Sequence, residues 1–386
     1  MNIKNATFEG LKSYVKETGK RIICFGVGSV FLAWFPYLLE RYDLKECLAF
    51  CLDNDPYKWD TEIEVAGRKY WIRNPEYIRN IDCREYVLLI TSRYFSSIIE
   101  QLDMVDETEE LDCFVADIMQ ITHEPCQDVQ ELSIDNADKI PKIIHYCWFG
   151  DKKMSDHDKR CIESWHKFCK DYIFMKWSEE NYDFSVNAYM NQSYKMKKFG
   201  YTPDYLRIDV LHRYGGFYFD TDVMMLRSID PLRKNQAFCS FEEYPIINFG
   251  GGSGAVKGHP MLKKILDFRK DAVFDYGNGR FNNTSCGLYE TTPLLREGLR
   301  LDGTYQVING LTVYPYSYFH SKSSVTGEIR ITPKAYSVHD FNWSWIDGEK
   351  KREMEENHRK NREWIKKLGD IDENGESISQ YSSSSI

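Results

Sequence analysis

The sequence lacks three features that would assign its class at once: a cysteine framework, a long apolar run and an excess of positive charge. Its 11 cysteines are odd in number and none forms a C-x-x-C pair, which predicts reduced thiols. No stretch approaches the roughly 20 apolar residues of a membrane helix, and the N-terminal segment lacks a signal-peptide pattern. A net charge of -9 argues against a nucleic-acid partner. We therefore expect a cytoplasmic protein, with peripheral association at the inner face of the membrane as the alternative.

The beginning of the chain predicts a small Rossmann-like α/β domain over residues 1–125. An apolar strand at 20–25 runs into the turn Gly26-Val27-Gly28, and after a helical segment a second strand at 47–52 ends at Asp53. Strand, glycine turn, helix, strand and acid follow one another in this order in dinucleotide-binding units. The turn has two interpretations, because the third glycine of that fingerprint is missing. It either binds a nicotinamide cofactor or only reverses the chain.

The rest of the chain predicts a second α/β domain and a charged tail. Residues 126–139 are polar and acidic without clear periodicity, so we expect a linker there. An apolar strand begins the next unit, which we place at 140–347. Residues 348–386 predict a charged helix that packs by one edge, followed by a disordered segment.

The stretch from Asp204 to Asp222 predicts a helix that stops at two glycines and a strand that carries two acids. Asp-x-Asp occurs four times in the chain, so the tripeptide alone is weak evidence. In this copy the period-two alternation over 217–223 places Asp220 and Asp222 on one face, together with Tyr218. Carboxylates spaced in this way can converge on one Mg²⁺ or Mn²⁺ ion. Such a cation would hold the diphosphate of a nucleotide-sugar.

Asp204 and Arg207 stand three residues apart, hence on one face of the preceding helix. They could form an ordinary surface ion pair, worth under about 1 kcal/mol. Because the helix stops at Gly215-Gly216 and the chain turns directly into the strand of Asp220, we expect this face to lie beside the two acids.

Four blocks of sequence, in this order, resemble the DXD sugar-transferase family 32. The family includes the initiating α-1,6-mannosyltransferases of fungi and bacterial capsule and lipopolysaccharide glycosyltransferases, and it is related to the clostridial glucosylating toxins. The resemblance covers about residues 140–346. Its blocks are Pro141-Lys-Ile-Ile-His-Tyr-Cys-Trp148-Phe-Gly, Asp204-x-x-Arg207, Arg213-Tyr-Gly-Gly-Phe-Tyr218-Phe-Asp-Thr-Asp222-Val and Tyr336-Ser-Val-His339-Asp-Phe-Asn-Trp-Ser344-Trp345.

The resemblance implies a GT-A fold, a metal-dependent nucleotide-sugar donor and retention of anomeric configuration. It also implies a set of site residues. The catalytic residues would be Asp220, Asp222 and Arg207. The metal ligands, for Mn²⁺ or Mg²⁺, would be Asp220, Asp222 and His339. The donor would be bound by Trp148, which stacks on the base, and by Asp204, Arg207, Tyr218, Asp220, Ser344 and Trp345.

The sequence therefore predicts a retaining, metal-dependent glycosyltransferase of surface polysaccharide synthesis. We expect a UDP-sugar donor in preference to GDP-mannose, and a saccharide or lipid-linked saccharide acceptor. Two alternatives stay open. One is an NAD(P)-dependent sugar-modifying protein that acts through the glycine turn, and the other is a non-catalytic partner in polysaccharide assembly.

Overall fold

The protein forms two compact α/β units in the computed structural model, so the predicted α/β class is confirmed. The structure describes residues 1–122, 139–341 and 348–369. The first unit contains 1–122, 325–327 and 348–369, and the second contains 139–324 and 328–341. The predicted linker at 126–139 and the predicted disordered tail lie almost wholly outside the described residues, as do the predicted donor ligands Ser344 and Trp345.

The first unit contains a seven-stranded sheet in the order β1-β7-β6-β2-β3-β5-β4, in which only the β4–β5 pair is antiparallel. Its strands are β1 (Asn2–Ile3), β2 (Arg21–Phe25), β3 (Leu48–Leu52), β4 (Thr61–Val65), β5 (Arg68–Arg73), β6 (Tyr86–Ile90) and β7 (Asp112–Val115). Its helices in this part of the chain are α1 (Phe8–Thr18), α2 (Ser29–Arg41), α3 (Phe95–Asp103) and α4 (Ala116–Thr122). The inner strands β2 and β6 are almost completely buried apolar runs, as expected for parallel strands covered on both faces.

The second unit is built on a mixed sheet in the order β17-β18-β12-β14-β10-β8-β9, with β13 paired to β12. This arrangement is consistent with the predicted GT-A type. Its strands are β8 (Ile143–Cys147), β9 (Ile173–Trp177), β10 (Gly216–Tyr218), β11 (Val223–Met225), β12 (Ala237–Phe241), β13 (Ile247–Asn248), β14 (Ser253–Ala255), β15 (Asp275–Gly277), β16 (Arg280–Phe281), β17 (Gln306–Ile308), β18 (Leu311–Tyr314) and β19 (Ser337–His339). Its helices are α5 (Asp156–Phe168), α6 (Ala188–Lys195), α7 (Pro203–Tyr214), α8 (Pro260–Arg269) and α9 (Cys286–Leu295).

The predicted helix and glycine stop before the two acids are present as α7 and the turn that follows it. Gly215 and Gly216 have φ angles of 71° and 107°, which few side chains tolerate. A Cβ on Gly216 would lie 2.7 Å from the carbonyl oxygen of Ile143 on the neighbouring strand β8. These two glycines therefore allow α7 to end and β10 to enter the middle of the sheet at once.

The predicted single strand over 217–223 is wrong. Strand β10 ends at Tyr218, and the chain turns at Asp220–Asp222 before β11 begins. Strand β11 leaves the main sheet and pairs instead with β19 in a separate two-stranded ribbon. The alternation was misleading because Phe217, Phe219 and Val223 all pack into one core cluster even though the backbone between them changes sheets.

The charged C-terminal segment forms α10 (Gly348–Gly369), which belongs to the first unit and packs on α3. The side-chain amides of Asn357 and Asn361 both donate to the carbonyl oxygen of Arg93, at 3.0 and 2.9 Å. Among the described residues no helix is both long enough and apolar enough to cross a membrane.

Candidate functional site

The two acids of the Asp-x-Asp tripeptide lie in a turn that is fixed by backbone hydrogen bonds. The Asp220 N–H donates to the carbonyl oxygen of Gly250 at 2.8 Å, and the Val223 N–H donates back to the Asp220 carbonyl at 3.1 Å. On the other side, the Asp340 N–H donates to the Asp222 carbonyl at 3.0 Å. The turn is therefore held between the glycine-rich segment after β13 and the end of β19.

Asp220, Asp222 and His339 converge on one point. Each offers one ligand atom, and these atoms all lie within 4.8 Å of one another. The β11–β19 pairing explains the geometry, because it places His339 opposite Val223, next to the acids. Nε2 of His339 lies 3.3 Å from Oδ1 of Asp222. Two carboxylates and an imidazole form a donor set that fits Mn²⁺ well and leaves coordination positions for a substrate.

Asp220 is oriented by two buried neighbours. The Tyr218 hydroxyl donates to Oδ1 of Asp220 at 3.1 Å, and Nη2 of Arg207 lies 3.5 Å from Oδ2. The Tyr218 side chain is 0% exposed. In the structure this side chain holds Asp220. Contact of Tyr218 with the nucleotide stays a prediction.

Asp204 and Arg207 belong to a buried charge network and are not a surface pair. Nη2 of Arg207 lies 3.2 Å from Oδ1 of Asp204, and Nη2 of Arg269 lies 3.2 Å from Oδ2 of the same carboxylate. Nη1 of Arg207 also lies 3.7 Å from Oε1 of Glu290. Burial lowers the pKa of Arg207, but the Asp220 and Asp204 carboxylates raise it by more than burial lowers it. The pKa of Arg207 therefore lies well above its ordinary value. The Arg207 cation is thus enclosed by three acids, and the donor contacts expected of Asp204 and Arg207 stay predictions.

Glu290 is a buried acid that sequence reasoning missed. Its Oε2 accepts the Phe249 N–H at 2.9 Å, while Oε1 has no hydrogen bond among the described residues. Burial raises the pKa of Glu290 to about 7, although the Arg207 guanidinium opposes this shift. It is the only charged residue in the α9 sequence CGLYETTPLL, which was an available signal.

We expect Glu290→Gln to reduce the pH dependence of the stability of the second unit. A carboxyl group whose pKa is raised on folding, from 4.5 to about 7, stabilises the folded state below pH 4.5. This contribution is lost as the pH rises through 7 and amounts to about 3 kcal/mol. Urea unfolding at pH 5 and pH 8 checks it: the variant should lose less stability between the two pH values than the wild type. Equal losses in both proteins would contradict the expectation.

The backbone of the glycine-rich segment after β13 lies directly against the side chains of Asp220 and Arg207. A Cβ on Gly250 would lie 2.2 Å from Oδ2 of Asp220 and 2.9 Å from Nη1 of Arg207. The Asn248 side chain accepts the Gly250 N–H at 2.6 Å and the Gly251 N–H at 3.1 Å, which fixes the turn. The backbone at Gly250 therefore lies very close to the Asp220 carboxylate.

Gly250→Ala is expected to lower catalytic activity by about 100-fold, the loss typical of a 1 Å displacement of a catalytic group. The added methyl group must push Asp220 away from Arg207, because neither the turn nor the buried guanidinium can yield. Steady-state kinetics would measure the loss. Gly28→Ala is a suitable control, because the structure shows no atom within 4 Å of a Cβ at that glycine. A Gly250 variant with activity near that of the control would refute the prediction.

Trp148 follows β8 and is partly exposed. Its Nε1–H donates to the carbonyl oxygen of Lys152 at 2.6 Å, so the indole is oriented by the loop that it begins. Stacking of this ring on a nucleotide base stays a prediction.

Two further acids, Glu242 and Glu243, follow β12. Glu242 accepts a hydrogen bond from the Asn248 side chain, and Glu243 accepts one from the Ser324 N–H.

The backbone of the glycine turn in the first unit forms hydrogen bonds with the side chains of Asp53 and Lys58. Oδ2 of Asp53 accepts the Val27 N–H at 2.7 Å, and the Lys58 ammonium lies 3.1 Å from the same oxygen. Lys58 also donates to the Val27 carbonyl at 2.9 Å. The acid that a dinucleotide ribose would need is therefore already bonded, which favours the interpretation of a structural turn.

Comparison with known proteins adds a family match that overlaps this site. Residues 155–239, which include Asp204, Arg207, Asp220 and Asp222, match the family described as "Glycosyltransferase sugar-binding region containing DXD motif". The matched region therefore carries the glycosyltransferase signature that the sequence predicted.

Two curated relatives are mannosyltransferases of yeasts. The chain is 27% identical over 157 residues to inositol phosphoceramide mannosyltransferase 3 of Schizosaccharomyces pombe, which covers 38% of this chain and 42% of the relative. It is 27% identical over 138 residues to mannosyl phosphorylinositol ceramide synthase CSH1 of Saccharomyces cerevisiae, covering 33% and 34%. The chain thus matches less than half of the length of these relatives. A solved structure, PaToxG glycosyltransferase, is similar with a TM-score of 0.34 and 17% identity, over 53% of this chain and 79% of that one.

Proposed function

We propose that this protein is a metal-dependent glycosyltransferase that moves a hexose from a nucleotide-linked donor to a saccharide or lipid-linked acceptor. The observation that carries the proposal is the convergence of Asp220, Asp222 and His339 within 4.8 Å, inside and next to the segment that matches the sugar-binding family. An acid-rich site of this kind repels a diphosphate unless a cation is present. We therefore infer that Mn²⁺ or Mg²⁺ is required.

The residues around the acids have distinct roles in the proposed reaction. When bound, the cation would neutralise negative charge that develops on the leaving nucleoside diphosphate. Tyr218 and Arg207 hold the Asp220 carboxylate in place through its two oxygens. The buried network behind them, with Asp204, Arg269 and Glu290, fixes Arg207 so that no reorganisation is needed during the reaction.

Retention of anomeric configuration is part of the proposal. In front-face transfer the leaving phosphate itself takes the proton of the acceptor hydroxyl, so no separate general base is needed. Analysis of product anomers by NMR would test the stereochemistry.

The names of the two yeast relatives suggest which sugar is transferred and which class of acceptor receives it. Their names specify mannosyl transfer and phosphoinositol-ceramide acceptors, so a mannose donor gains support and the predicted preference for a UDP-sugar gains none. We propose a lipid-linked acceptor on the same ground. A role in surface polysaccharide synthesis and a location at a membrane surface remain part of the proposal.

Incubation with a panel of nucleotide-sugars tests the function. We expect one donor, GDP-mannose being the first to examine, to be hydrolysed or transferred when Mn²⁺ is present and not when EDTA replaces it. If no donor in a panel of UDP- and GDP-sugars reacts with either cation, the proposal fails. The non-catalytic alternative would then gain support.

A further inference from the structure

A second buried histidine lies directly behind His339. His320 follows the turn after β18, is 1% exposed, and forms an isolated bridge with Val338, the residue before His339. The backbone N–H of His339 also donates to the carbonyl oxygen of Phe319 at 3.2 Å. The two histidines are therefore fixed next to each other by backbone bonds on both sides, independently of their side chains.

The two rings meet through one nitrogen each. Nδ1 of His339 lies 3.3 Å from Nδ1 of His320, within hydrogen-bond distance, while Nε2 of His339 faces Asp222. A metal-bound histidine uses the lone pair of one nitrogen and almost always donates the N–H of the other to a neighbouring acceptor. If Nε2 of His339 is the ligand atom, Nδ1 must carry the proton and His320 is the acceptor beside it.

The surrounding packing leaves both rings little freedom to rotate. A Cβ on Gly251 would lie 2.1 Å from Cε1 of His320, so the backbone of that glycine lies against the ring. The Phe341 ring stacks on His339 with the centroids 4.2 Å apart and on His320 at 5.8 Å. Phe341 has a φ of 48°, a strained value for a bulky residue, and such strain is typical of functional sites.

Burial of His320 has a cost that packing alone does not explain. Its Nε2 has no hydrogen-bond partner among the described residues. A buried polar atom without a partner destabilises the folded state, and an aliphatic side chain of similar size would avoid this penalty. The contact with His339 is the interaction that an aliphatic side chain at this position could not make.

We propose that His320 is a positioning residue for the metal site: its Nδ1 accepts the Nδ1–H of His339 and so directs the Nε2 lone pair of His339 toward Asp220 and Asp222. This inference rests on the proposed function, because it requires that His339 is a metal ligand. It assigns the outer partner of that ligand, which no sequence pattern identified.

The test compares two substitutions of similar volume. His320→Leu removes the acceptor, whereas His320→Gln keeps an acceptor oxygen that can reach the same N–H. Binding of Mn²⁺ alone is measured by the electron paramagnetic resonance signal of the free ion, which does not depend on activity. We expect the leucine variant to bind Mn²⁺ about 10- to 100-fold more weakly than the wild type, and the glutamine variant to recover most of the loss. His259→Asn is the matched control, since His259 is also buried with an unbonded Nε2 but caps α8.

A double variant separates positioning from general damage. In the His339→Ala background, His320→Leu should cause no further loss of Mn²⁺ affinity, because its effect acts through His339. An additive loss, or a leucine variant that binds Mn²⁺ within twofold of the wild type, would overturn the proposal. Asp222→Asn is measured in parallel: if neither it nor His339→Ala weakens Mn²⁺ binding, the proposed metal site itself fails. If both weaken binding and His320→Leu does not, only the role of His320 is refuted.

Discussion

Replacement of Asp222 by asparagine is expected to lower the rate of sugar transfer by about 10²–10³-fold, equivalent to several kcal/mol of lost charge stabilisation. Asp222 directly faces His339, and its carboxylate is one of the three converging donor groups. The amide keeps the size of the side chain but removes the negative charge that a hard cation requires. Steady-state transfer assays over a range of Mn²⁺ concentrations would measure the loss, and part of it should be recovered at high Mn²⁺.

The chain offers a matched control for this substitution in another Asp-x-Asp copy of the same unit. Asp156 is 86% exposed at its side chain and pairs with Lys159 at the start of α5. Asp156→Asn should leave the rate and the Mn²⁺ dependence unchanged. A similar loss in both variants, or a fully active Asp222 variant, would show that position 222 has no special role.

The transfer rate of Asp220 variants should fall less than that of Asp222 variants but more than that of other site variants. Trp148 variants should lose activity mainly through weaker donor binding.

Replacement of Arg207 by methionine is expected to destabilise the second unit by about 3–5 kcal/mol. The guanidinium is 5% exposed and lies within 3.7 Å of Asp204, Asp220 and Glu290. Removing it leaves the partly exposed Asp220 and the buried Glu290 without their cation, whereas Asp204 keeps Arg269. Urea unfolding followed by tryptophan fluorescence would measure the effect.

Arg213 is the matched control for this effect. It lies on the same helix, α7, and pairs with Asp209 at 3.1 Å, but 47% of its side chain is exposed. Arg213→Met should therefore cost under about 1 kcal/mol. Equal destabilisation by the two substitutions would contradict the account of a buried network around Arg207.

Local sequence patterns were sufficient for much of the fold. Apolar runs bounded by turns predicted the strands observed at Arg21–Phe25 and Leu48–Leu52, and helical spacing with two glycines predicted α7 and its stop. These elements are determined by residues close in sequence, so a pattern of period 2 or 3.6 identifies them.

The site depends on contacts that no local pattern contains. The alternation around Asp220 continues without interruption where the backbone leaves one sheet for another, so the turn was not visible in it. The pairing that brings His339 to Asp222 joins segments more than 100 residues apart, and only the family resemblance indicated it. The lone charge in α9 marks Glu290 as unusual, but no sequence pattern indicates the partner of Glu290, Arg207, or that of His320, His339.

The most direct test of the central claim is the thermal unfolding of the wild type and of Asp222→Asn with a nucleotide-sugar, each with and without Mn²⁺. A ligand that binds only the native state raises the melting temperature, by about 5–10 °C at a 100-fold excess over its Kd. We predict that a nucleotide-sugar raises the melting temperature of the wild type only when Mn²⁺ is present, and that Asp222→Asn loses this shift. A shift of equal size without Mn²⁺ or in the variant, or no shift with any donor, would contradict it.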